Sequence, residues 1–402
     1  MRSDMRAKAI RFICASLLIA LMIIATANCS ATNNTCSCSD ISPEKKVAYM
    51  CRPAVVMINC LHWATLVNKD GEPKIYLNIG DGNQKTEVDF QEWGQGGTGS
   101  GFIISQDGYI MTNAHVIYMS DYEIKEGLVK VIGDSILNNY PQIAGENGQY
   151  SEEIYDVLRK EYILKKRTPE KEISVYFGGM GSITEQNGVP AEVRTESPDE
   201  LWVGEGNNKY RSGKDLAILK IEGFSNLPTV ILGDSSKMEV GDKVIIIGYP
   251  GLVESYTHQM LSAETDLIPT VTSGIISAQR MHPDHTDVFQ TDAAIQHGNS
   301  GGPAFNKDGE VIGIATWGSS VPDAAILVQG YNFLIPINVA KSFINQLNIN
   351  TSRSKASEFI EKGLDYYWKQ QYSNAAQEFN KALSLDTKNY YASEYLKMSS
   401  PH

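Results

Sequence analysis

The pattern of hydrophobic and polar positions predicts a protein built mostly from β-strands. Short apolar runs bounded by glycine and other turn residues are typical of strands rather than helices. Such runs occupy residues 54–59, 74–77, 97–104, 109–117, 173–177, 216–220, 243–247 and 288–290. We therefore predict a mainly β fold in which these runs pair into sheets.

Helical periodicity interrupts the strands between residues 119 and 172. Residues 150–166 have Ser151 as a candidate cap, acidic residues in the first turn and apolar positions at helical spacing. Residues 121–140 predict a second helix or a mixed segment. We interpret 119–172 as an insertion that either gates a cleft, contacts a partner or is a neutral elaboration of a surface loop.

Two further stretches predict loops, and the C-terminal part predicts helices. Residues 61–96 are polar and glycine-containing, and residues 252–269 form a second inserted loop. A helix at 336–347 closes the main domain, and residues 348–354 form a polar linker. Helical spacing then returns at residues 355–369, 373–384 and 389–398.

The first 28 residues predict an export signal or a membrane anchor. Basic residues precede an apolar run at 12–24, and small residues at 25–27 offer a cleavage site. The run is shorter than the ~20 residues of a spanning helix, so cleavage and an uncleaved anchor both stay open. Lipidation at Cys29 is a third alternative, because Ala27-Asn28-Cys29 loosely resembles a bacterial lipobox. In each case the rest of the chain is extracytoplasmic.

Cysteine usage agrees with export, because all six cysteines precede residue 61. The set beyond the signal is Cys36, Cys38, Cys51 and Cys60. An even set in an oxidising compartment favours disulfides. Cys36 and Cys38 are close in sequence, so each is expected to pair with Cys51 or Cys60 and to pin the arm at 29–52 to the first strand. Zinc is the weaker alternative, since Cys-x-Cys lacks the usual spacing of zinc ligands.

The overall composition is that of an ordinary soluble globular protein. The chain has 402 residues, of which 42% are hydrophobic and 20% charged, and its formal net charge is −12. This length allows about two domains with appendages. The acidic balance argues against nucleic acid as a partner.

A serine between glycines is the candidate nucleophile. Ser300 lies in the stretch 291–303, whose sequence is TDAAIQHGNSGGP. Glycine on both sides lets the backbone turn sharply and approach a ligand closely. The N–H groups of Gly298 and Ser300 then form a candidate oxyanion hole. The same residues are also typical of a plain turn.

Two other stretches supply the partners that a serine nucleophile needs, which are a base and a carboxylate that orients it. His115 ends an apolar run, and Asp215 begins a strand-like run. The three residues follow one another in the order found in chymotrypsin-like barrels. We therefore predict a catalytic triad of His115, Asp215 and Ser300.

Together these motifs resemble the HtrA/Deg branch of the trypsin-like serine proteases. The resemblance covers residues 53–347 and rests on GTGSGF (97–102), TNAH (112–115), DLA (215–217), LGDS (232–235), VGD (240–242), TVTSGIIS (270–277) and the serine loop. It implies two six-stranded barrels, the second starting near residue 229, with the active site in the cleft between them. It also implies hydrolysis of peptide bonds in protein substrates through an acyl-enzyme, with no metal or organic cofactor, and assembly into trimers.

The resemblance also implies the position of the primary substrate pocket. Its base falls at Ala294, six residues before the serine, and favours a small or medium apolar residue before the scissile bond. Its walls fall at residues 331–334 and at Ile314, Ala315, Thr316 and Trp317. His297 stands where the family usually has proline, so it touches substrate, tunes the oxyanion loop or is an inert surface residue. His282 and His285 suggest a metal site, but no third ligand stands at a suitable spacing, and we predict none.

The C-terminal helices resemble a tetratricopeptide unit, in place of the PDZ domains usual in the family. The resemblance rests on Ala356, Gly363, Tyr367, Tyr372, Ala375, Phe379 and Ala382. One repeat rarely folds alone. The unit therefore docks on the protease domain, pairs with another copy, binds a partner peptide or merely caps the fold.

Two functions follow from these patterns. The first is an exported serine endopeptidase in extracytoplasmic protein quality control. The second is a catalytically silent binding or chaperone-like protein that acts through its helical C-terminal segment. The complete set of triad positions favours the first, and the histidine at 297 in the oxyanion loop keeps the second open.

Overall fold

A computed structural model describes the parts of the chain that carry the predicted strands and the C-terminal helices. The described residues are 41–77, 86–89, 93–139, 151–179, 181, 183–184, 188–198, 202–203, 210–211, 213–250, 262–282, 285–321 and 326–400. The predicted export signal, Cys29, Cys36, Cys38 and most of the predicted loop at 252–269 lie outside these ranges. Within them, no helix has the length and apolar character needed to span a membrane.

Most strands belong to two β-barrels. The strands are, in chain order, β1 (Val55–Val67), β2 (Lys74–Leu77), β3 (Thr86–Asp89), β4 (Trp93–Ile103), β5 (Tyr109–Thr112), β6 (Ile163–Phe177), β7 (Val189–Ser197), β8 (Trp202–Val203), β9 (Tyr210–Arg211), β10 (Leu216–Ile221), β11 (Ile231–Leu232), β12 (Lys243–Gly248), β13 (Thr270–Met281), β14 (Asp287–Thr291), β15 (Pro303–Phe305), β16 (Glu310–Val321) and β17 (Ile326–Pro336). The first barrel closes in the order β1-β4-β5-β10-β7-β6. The second closes as β12-β13-β14-β17-β16-β15, with β11 added in parallel to β16. The prediction of a mainly β fold with two six-stranded barrels is confirmed.

The helices surround the barrels. They are α1 (Pro43–Cys51), α2 (Asp121–Asn139), α3 (Ser151–Glu161), α4 (Ile337–Gln346), α5 (Lys355–Trp368), α6 (Tyr372–Leu385) and α7 (Tyr390–Met398). The last four lie within a few residues of their predicted bounds. The sequence pattern does not predict α1; Ser42 caps its first turn by accepting from the Lys45 N–H.

The first strand is longer than the sequence predicts. The expected loop at 61–96 begins only after β1 has run on to Val67, and this extension pairs with both β4 and β6. Its inward positions are His62, Ala64 and Leu66, all of which are buried. The less buried positions Leu61 and Trp63 are also apolar while the buried His62 is polar, so the extension lacks the alternation that identifies a strand.

The predicted insertion is two helices packed on this extension, and it ends earlier than expected. Residues 163–172 belong to β6 rather than to the insertion, because they pair with the extended part of β1. The helices α2 and α3 share a separate hydrophobic cluster with β1 and β2. Its buried members are Ala64, Leu66, Ile75, Ile124, Leu128, Val129, Ile132, Ile136, Ile154, Leu158 and Tyr162.

The C-terminal helices form a tightly packed unit. A Cβ at Gly363 of α5 would lie 2.5 Å from the ring of Phe379 on α6, so glycine is what lets these two helices approach. Tyr395 of α7 lies on the same Phe379 ring, with 5.6 Å between the ring centroids. Small and aromatic residues thus make the contacts between these helices, and the resemblance to a tetratricopeptide unit stays a prediction.

This unit docks on the rest of the chain from two sides. Ser354, at the end of the predicted linker, is fully buried and donates its main-chain N–H to Thr229 Oγ1 at 3.0 Å. On the other side, the Tyr395 hydroxyl donates to the Tyr49 carbonyl of α1 at 2.8 Å and accepts from Arg52 Nε at 2.9 Å. The described residues from 41 to 400 accordingly belong to one compact unit.

Candidate active site

Two neighbouring strands of the first barrel place a histidine and an aspartate side by side. β5 pairs with β10, and His115 lies in a short 3-10 turn just beyond β5 while Asp215 directly precedes β10. Asp215 has φ 49°, a left-handed conformation that aspartate tolerates better than most residues. The buried Asn113 side chain holds it there by donating Nδ2–H to the Asp215 carbonyl at 2.8 Å.

The histidine and the aspartate are joined through both the imidazole and the main chain of His115. Nδ1 of His115 lies 2.8 Å from Oδ2 of Asp215, and the His115 main-chain N–H donates to Oδ1 at 3.0 Å. The carboxylate is buried, with 4% of its side chain exposed, whereas 44% of the imidazole is exposed. An ionised carboxylate only accepts hydrogen bonds, so it favours the tautomer with the proton on Nδ1 and the lone pair on Nε2. A partly exposed imidazole oriented by a buried carboxylate is the arrangement expected of a general base.

Thr316 joins this pair to the candidate nucleophile. Its hydroxyl donates to Asp215 Oδ2 at 2.6 Å, and its carbonyl accepts from Ser300 Oγ, also at 2.6 Å. The sequence suggests only a pocket wall at Thr316. Its contacts with Asp215 and Ser300 could not be found from sequence, because they depend on how β16 of the second barrel meets β10 of the first.

Ser300 lies in the turn between β14 and β15, where glycines take up left-handed backbone. Gly298 has φ 91° and Gly301 has φ 84°. A Cβ at Gly301 would lie 2.1 Å from the Ser100 carbonyl oxygen, so only glycine fits there. Within the described residues, neither the Gly298 N–H nor the Ser300 N–H donates to another group. Two main-chain donors beside the serine hydroxyl suit an anionic oxygen.

The serine hydroxyl has only one proton, and here it is donated to Thr316. The structure therefore brings His115 and Asp215 into direct contact and connects Ser300 to Asp215 through Thr316. Transfer of the Ser300 proton to His115 requires the hydroxyl to rotate away from the Thr316 carbonyl.

The expected pocket base, Ala294, is exposed, and its backbone is held on both sides. Thr272 Oγ1 donates to the Ala294 carbonyl at 2.9 Å. The buried Asn332 donates Nδ2–H to the neighbouring Ala293 carbonyl at 2.8 Å. His297 is exposed in the turn just before Gly298. Asn332, in the predicted wall at 331–334, thus holds the backbone beside the predicted pocket base, a role that the sequence does not suggest.

Two residues predicted as pocket walls have their side chains in the core. Ile314 and Ala315 are fully buried in the hydrophobic cores, so their side chains do not line an open pocket. The reason is that this part of β16 has core on both faces, and consecutive residues are therefore both covered. The backbone of Trp317 continues β16, and its side chain lies outside the described part of the structure.

Cys51 and Cys60 are free thiols, so the predicted disulfides at these two positions are wrong. Both side chains are buried in the main hydrophobic core, and this burial raises the pKa of each thiol to about 12. Cys51 Sγ contacts the Gly309 carbonyl at 3.7 Å, and Cys60 Sγ contacts the Ile117 carbonyl at 3.6 Å. They behave as small core residues because each lies on the inner face of its own element.

His282 and His285 lie near the tight turn between β13 and β14. The His285 N–H donates to the His282 carbonyl at 2.8 Å, and His285 Nδ1 lies 3.4 Å from Met281 Sδ. The described residues contain no group of three or more histidine, cysteine or acidic side chains that could hold a metal ion.

Known proteins match the part of the chain that carries these residues. A family model described as a trypsin-like peptidase domain matches residues 99–314. A probable periplasmic serine endoprotease, DegP-like, from Halomonas elongata is 35% identical over 261 residues, which are 64% of this chain and 36% of that protein. Serine protease HTR4 from Bos taurus is 31% identical over 181 residues, covering 43% of this chain and 32% of that protein. The chain thus spans about a third of the length of these curated relatives.

A solved structure, described as HtrA-type protease AlgW with decapeptide, covers 76% of this chain and 67% of its own. Its TM-score is 0.42 and its sequence identity is 24%. The family model covers more than half of the chain and includes His115, Asp215 and Ser300. The chain therefore belongs to the trypsin-like peptidases.

Proposed function

We propose that this protein is a serine endopeptidase of the HtrA-like kind, with His115, Asp215 and Ser300 as its catalytic triad. The observation that carries the proposal is the half-exposed His115 bound to the buried Asp215 carboxylate at 2.8 Å, with Ser300 linked to the same carboxylate through Thr316. An ion pair that only stabilises the fold gains nothing from an imidazole that is 44% exposed. A catalytic base, by contrast, needs its second ring nitrogen within reach of the substrate.

The first step forms an acyl-enzyme. Ser300 Oγ attacks the peptide carbonyl carbon while His115 Nε2 takes the hydroxyl proton, and the carbonyl electrons move onto its oxygen. The N–H groups of Gly298 and Ser300 hold that oxyanion, and Asp215 stabilises the imidazolium. Collapse of the intermediate breaks the C–N bond, and His115 returns the proton to the leaving amine.

The second step releases the acyl group. His115 takes a proton from a water molecule, whose oxygen attacks the ester carbon of acylated Ser300. The second oxyanion occupies the same pair of main-chain donors, and its collapse returns the proton to Ser300 Oγ. Every proton and electron pair is accounted for by the peptide, one water and the side chains of the triad.

The bond from Ser300 to Thr316 is compatible with this cycle. A neutral hydrogen bond of this kind contributes about 0.5–1.5 kcal/mol net. Rotating the hydroxyl towards His115 therefore costs at most about tenfold in rate, far less than a triad contributes. We interpret the observed position as the resting state.

We further propose that the substrates are unfolded or selected proteins outside the cytoplasm, cut after small or medium apolar residues. The exposed, uncharged Ala294 supports the apolar preference, and the description of the DegP-like relatives as periplasmic supports the location. Export through residues 1–28, anchoring or lipidation at Cys29, trimer formation and a role in protein quality control are parts of this proposal. A partner that binds the C-terminal helices would have to bind away from Tyr395 and Ser354, because both residues are buried against the rest of the chain.

The second candidate is a catalytically silent binding protein. The observation that favours it is that the Ser300 proton is donated to the Thr316 carbonyl rather than to a base. In such a protein the exposed surfaces of α5 and α6, rather than the serine, would carry the function.

A fluorophosphonate probe tests the choice, because it labels only an activated serine. The mature protein is compared with Ser300→Ala and His115→Ala, with and without an unfolded protein substrate. Labelling that is lost in both variants supports the peptidase, and labelling that needs substrate supports a resting Ser300. A folded wild-type protein that stays unlabelled under every condition would refute the peptidase and leave the binding protein.

A further inference from the structure

The fully buried Ser100 of β4 contacts the serine loop with its main chain and with its side chain. Its hydroxyl donates to the Gly298 carbonyl at 2.6 Å and accepts from the Tyr249 N–H at 2.8 Å. Its own N–H donates to the Ser300 carbonyl at 2.8 Å, and its carbonyl accepts from Thr112 Oγ1 at 2.7 Å. All the polar groups of this one residue are therefore engaged around the candidate oxyanion hole.

These contacts fix the peptide planes on either side of the Ser300 N–H. The Gly298–Asn299 peptide is held at both ends, because its N–H donates to the Gln296 carbonyl at 3.0 Å and its carbonyl accepts from Ser100 Oγ. The peptide after Ser300 is also held at both ends, by Ser100 N–H and by the Ala315 carbonyl. The Ser300 N–H belongs to the peptide between these two, whose Asn299 carbonyl accepts from the Gly302 N–H at 2.9 Å. Since a peptide unit is planar and rigid, this contact and the two held neighbours restrain the direction of that N–H.

Gly298 is the point at which this loop could otherwise turn. Its φ of 91° lies in a region that glycine enters and leaves with little steric restraint. The bond from Ser100 Oγ restrains the Gly298 carbonyl directly, so it limits the rotation about the two backbone bonds that separate this carbonyl from the Gly298 N–H.

The surroundings of Ser100 leave room for a small side chain only. A Cβ at Gly248 would lie 2.9 Å from Ser100 Oγ, and a Cβ at Gly302 would lie 3.2 Å from Ser100 Cβ. Tyr249 belongs to the second barrel and Ser100 to the first, so the hydroxyl also ties the two barrels together beside the serine loop. Of the small residues, serine both fits this space and supplies a donor with an acceptor.

We propose that Ser100 is a positioning residue that holds Gly298 and the serine loop with their N–H groups directed at the oxyanion. This inference rests on the proposed peptidase function and deepens it. Ser100 touches no reacting atom, so its effect is on the geometry of the donors. Misplacing catalytic groups by about 1 Å can cost on the order of a hundredfold in rate.

A purely structural role for Ser100 predicts a different result from a positioning role. Loss of a buried hydroxyl destabilises the fold in either case, because the Tyr249 N–H loses its acceptor. Only a positioning role lowers transition-state binding in molecules that remain folded. Ser105 is the matched control, since it too is fully buried and its hydroxyl bridges a main-chain N–H, that of Tyr109, and the Asp107 carboxylate.

The experiment measures kcat, KM and the inhibition constant of a peptide boronate on the full-length protein and its variants. For Ser100→Ala we expect kcat to fall about 10- to 100-fold, KM to stay within about threefold, and boronate affinity to fall in step with kcat, as expected of a transition-state analogue. Ser105→Ala should lower the melting temperature while leaving all three constants near wild type. Ser100→Cys, which keeps a weak donor, should recover part of kcat.

The outcomes separate this inference from the function on which it rests. An active wild type with an unchanged kcat in folded Ser100→Ala overturns the positioning role and leaves the peptidase intact. If Ser100→Ala does not fold, Ser100→Gly decides, because it also removes the hydroxyl, and a folded Gly variant with wild-type kcat and boronate affinity overturns the positioning role. A wild type as inactive as Ser300→Ala refutes the peptidase and, with it, the role of Ser100.

Discussion

Replacing Tyr395 by phenylalanine tests whether the C-terminal helices are an integral part of the folded protein. The ring of Tyr395 is 0% exposed, and its hydroxyl joins α7 to α1 by two hydrogen bonds, to the Tyr49 carbonyl at 2.8 Å and from Arg52 Nε at 2.9 Å. Phenylalanine keeps the ring and its packing. The substitution therefore removes the hydrogen bonds and little else.

The expected loss in the free energy of unfolding is the contribution of the two hydrogen bonds, reduced by the contacts that Arg52 keeps. The neutral bond to Tyr49 contributes about 1 kcal/mol, and the bond from a guanidinium contributes about 1.5–3 kcal/mol. Arg52 keeps its ion pair with Glu394 at 3.1 Å and its position over the Tyr49 and Tyr391 rings, each 4.6 Å from the guanidinium carbon. These remaining contacts limit the loss, and we expect the free energy of unfolding to fall by about 2–3 kcal/mol.

Urea unfolding followed by tryptophan fluorescence and far-ultraviolet circular dichroism measures this change. In a protein that keeps Trp368 of α5 as its single tryptophan, the other four being phenylalanine, the fluorescence reports on the C-terminal unit, while the barrels dominate the dichroism of the strands. We expect both signals to shift together. Tyr372→Phe is the control, because its ring is 46% exposed and such surface changes stay within about 0.5 kcal/mol. The reasoning is refuted if Tyr395→Phe matches this control, or if the Trp368 signal moves while the barrel transition does not.

Three further predictions concern the serine loop, the buried thiols and a buried histidine. Gly301→Ala should cost about 3 kcal/mol or more and abolish fluorophosphonate labelling, because its Cβ would lie 2.1 Å from a main-chain oxygen at a φ of 84°; a stable, labelled variant contradicts this. In a protein whose other cysteines are serine, Cys51 and Cys60 should react with Ellman's reagent only after unfolding, since burial raises the pKa of both thiols to about 12; rapid reaction of the native protein would count against it. Burial also lowers the pKa of His62, so the unfolded chain binds its proton more readily and the free energy of unfolding should fall as the pH drops below about 6.5. His62→Gln should weaken that pH dependence in urea titrations, and an unchanged slope would show that other groups cause it.

Local patterns along the chain are enough to determine many elements of this protein. The short apolar runs indicate the barrel strands, because alternation and turn residues are properties of neighbouring positions. The helices at the C-terminus follow in the same way from their spacing, and the glycines around Ser300 mark a turn that only they can adopt. The order of His115, Asp215 and Ser300 along the chain suggests their common site.

Tertiary structure alone decides what these elements do to one another. The extension of β1 depends on its pairing with β6, which lies far away in the sequence, and this pairing is why the insertion ends before residue 163 rather than at 172. Cys51 and Cys60 are free thiols in the core, and this burial is not visible in the cysteine spacing from which disulfides are predicted. The contacts of Thr316 with Asp215, of Ser100 with Gly298 and of Tyr395 with Arg52 join distant segments. Hydrogen bonds of this kind leave no periodic trace in the sequence, because each depends on the distance and direction between two groups that only the folded chain brings together.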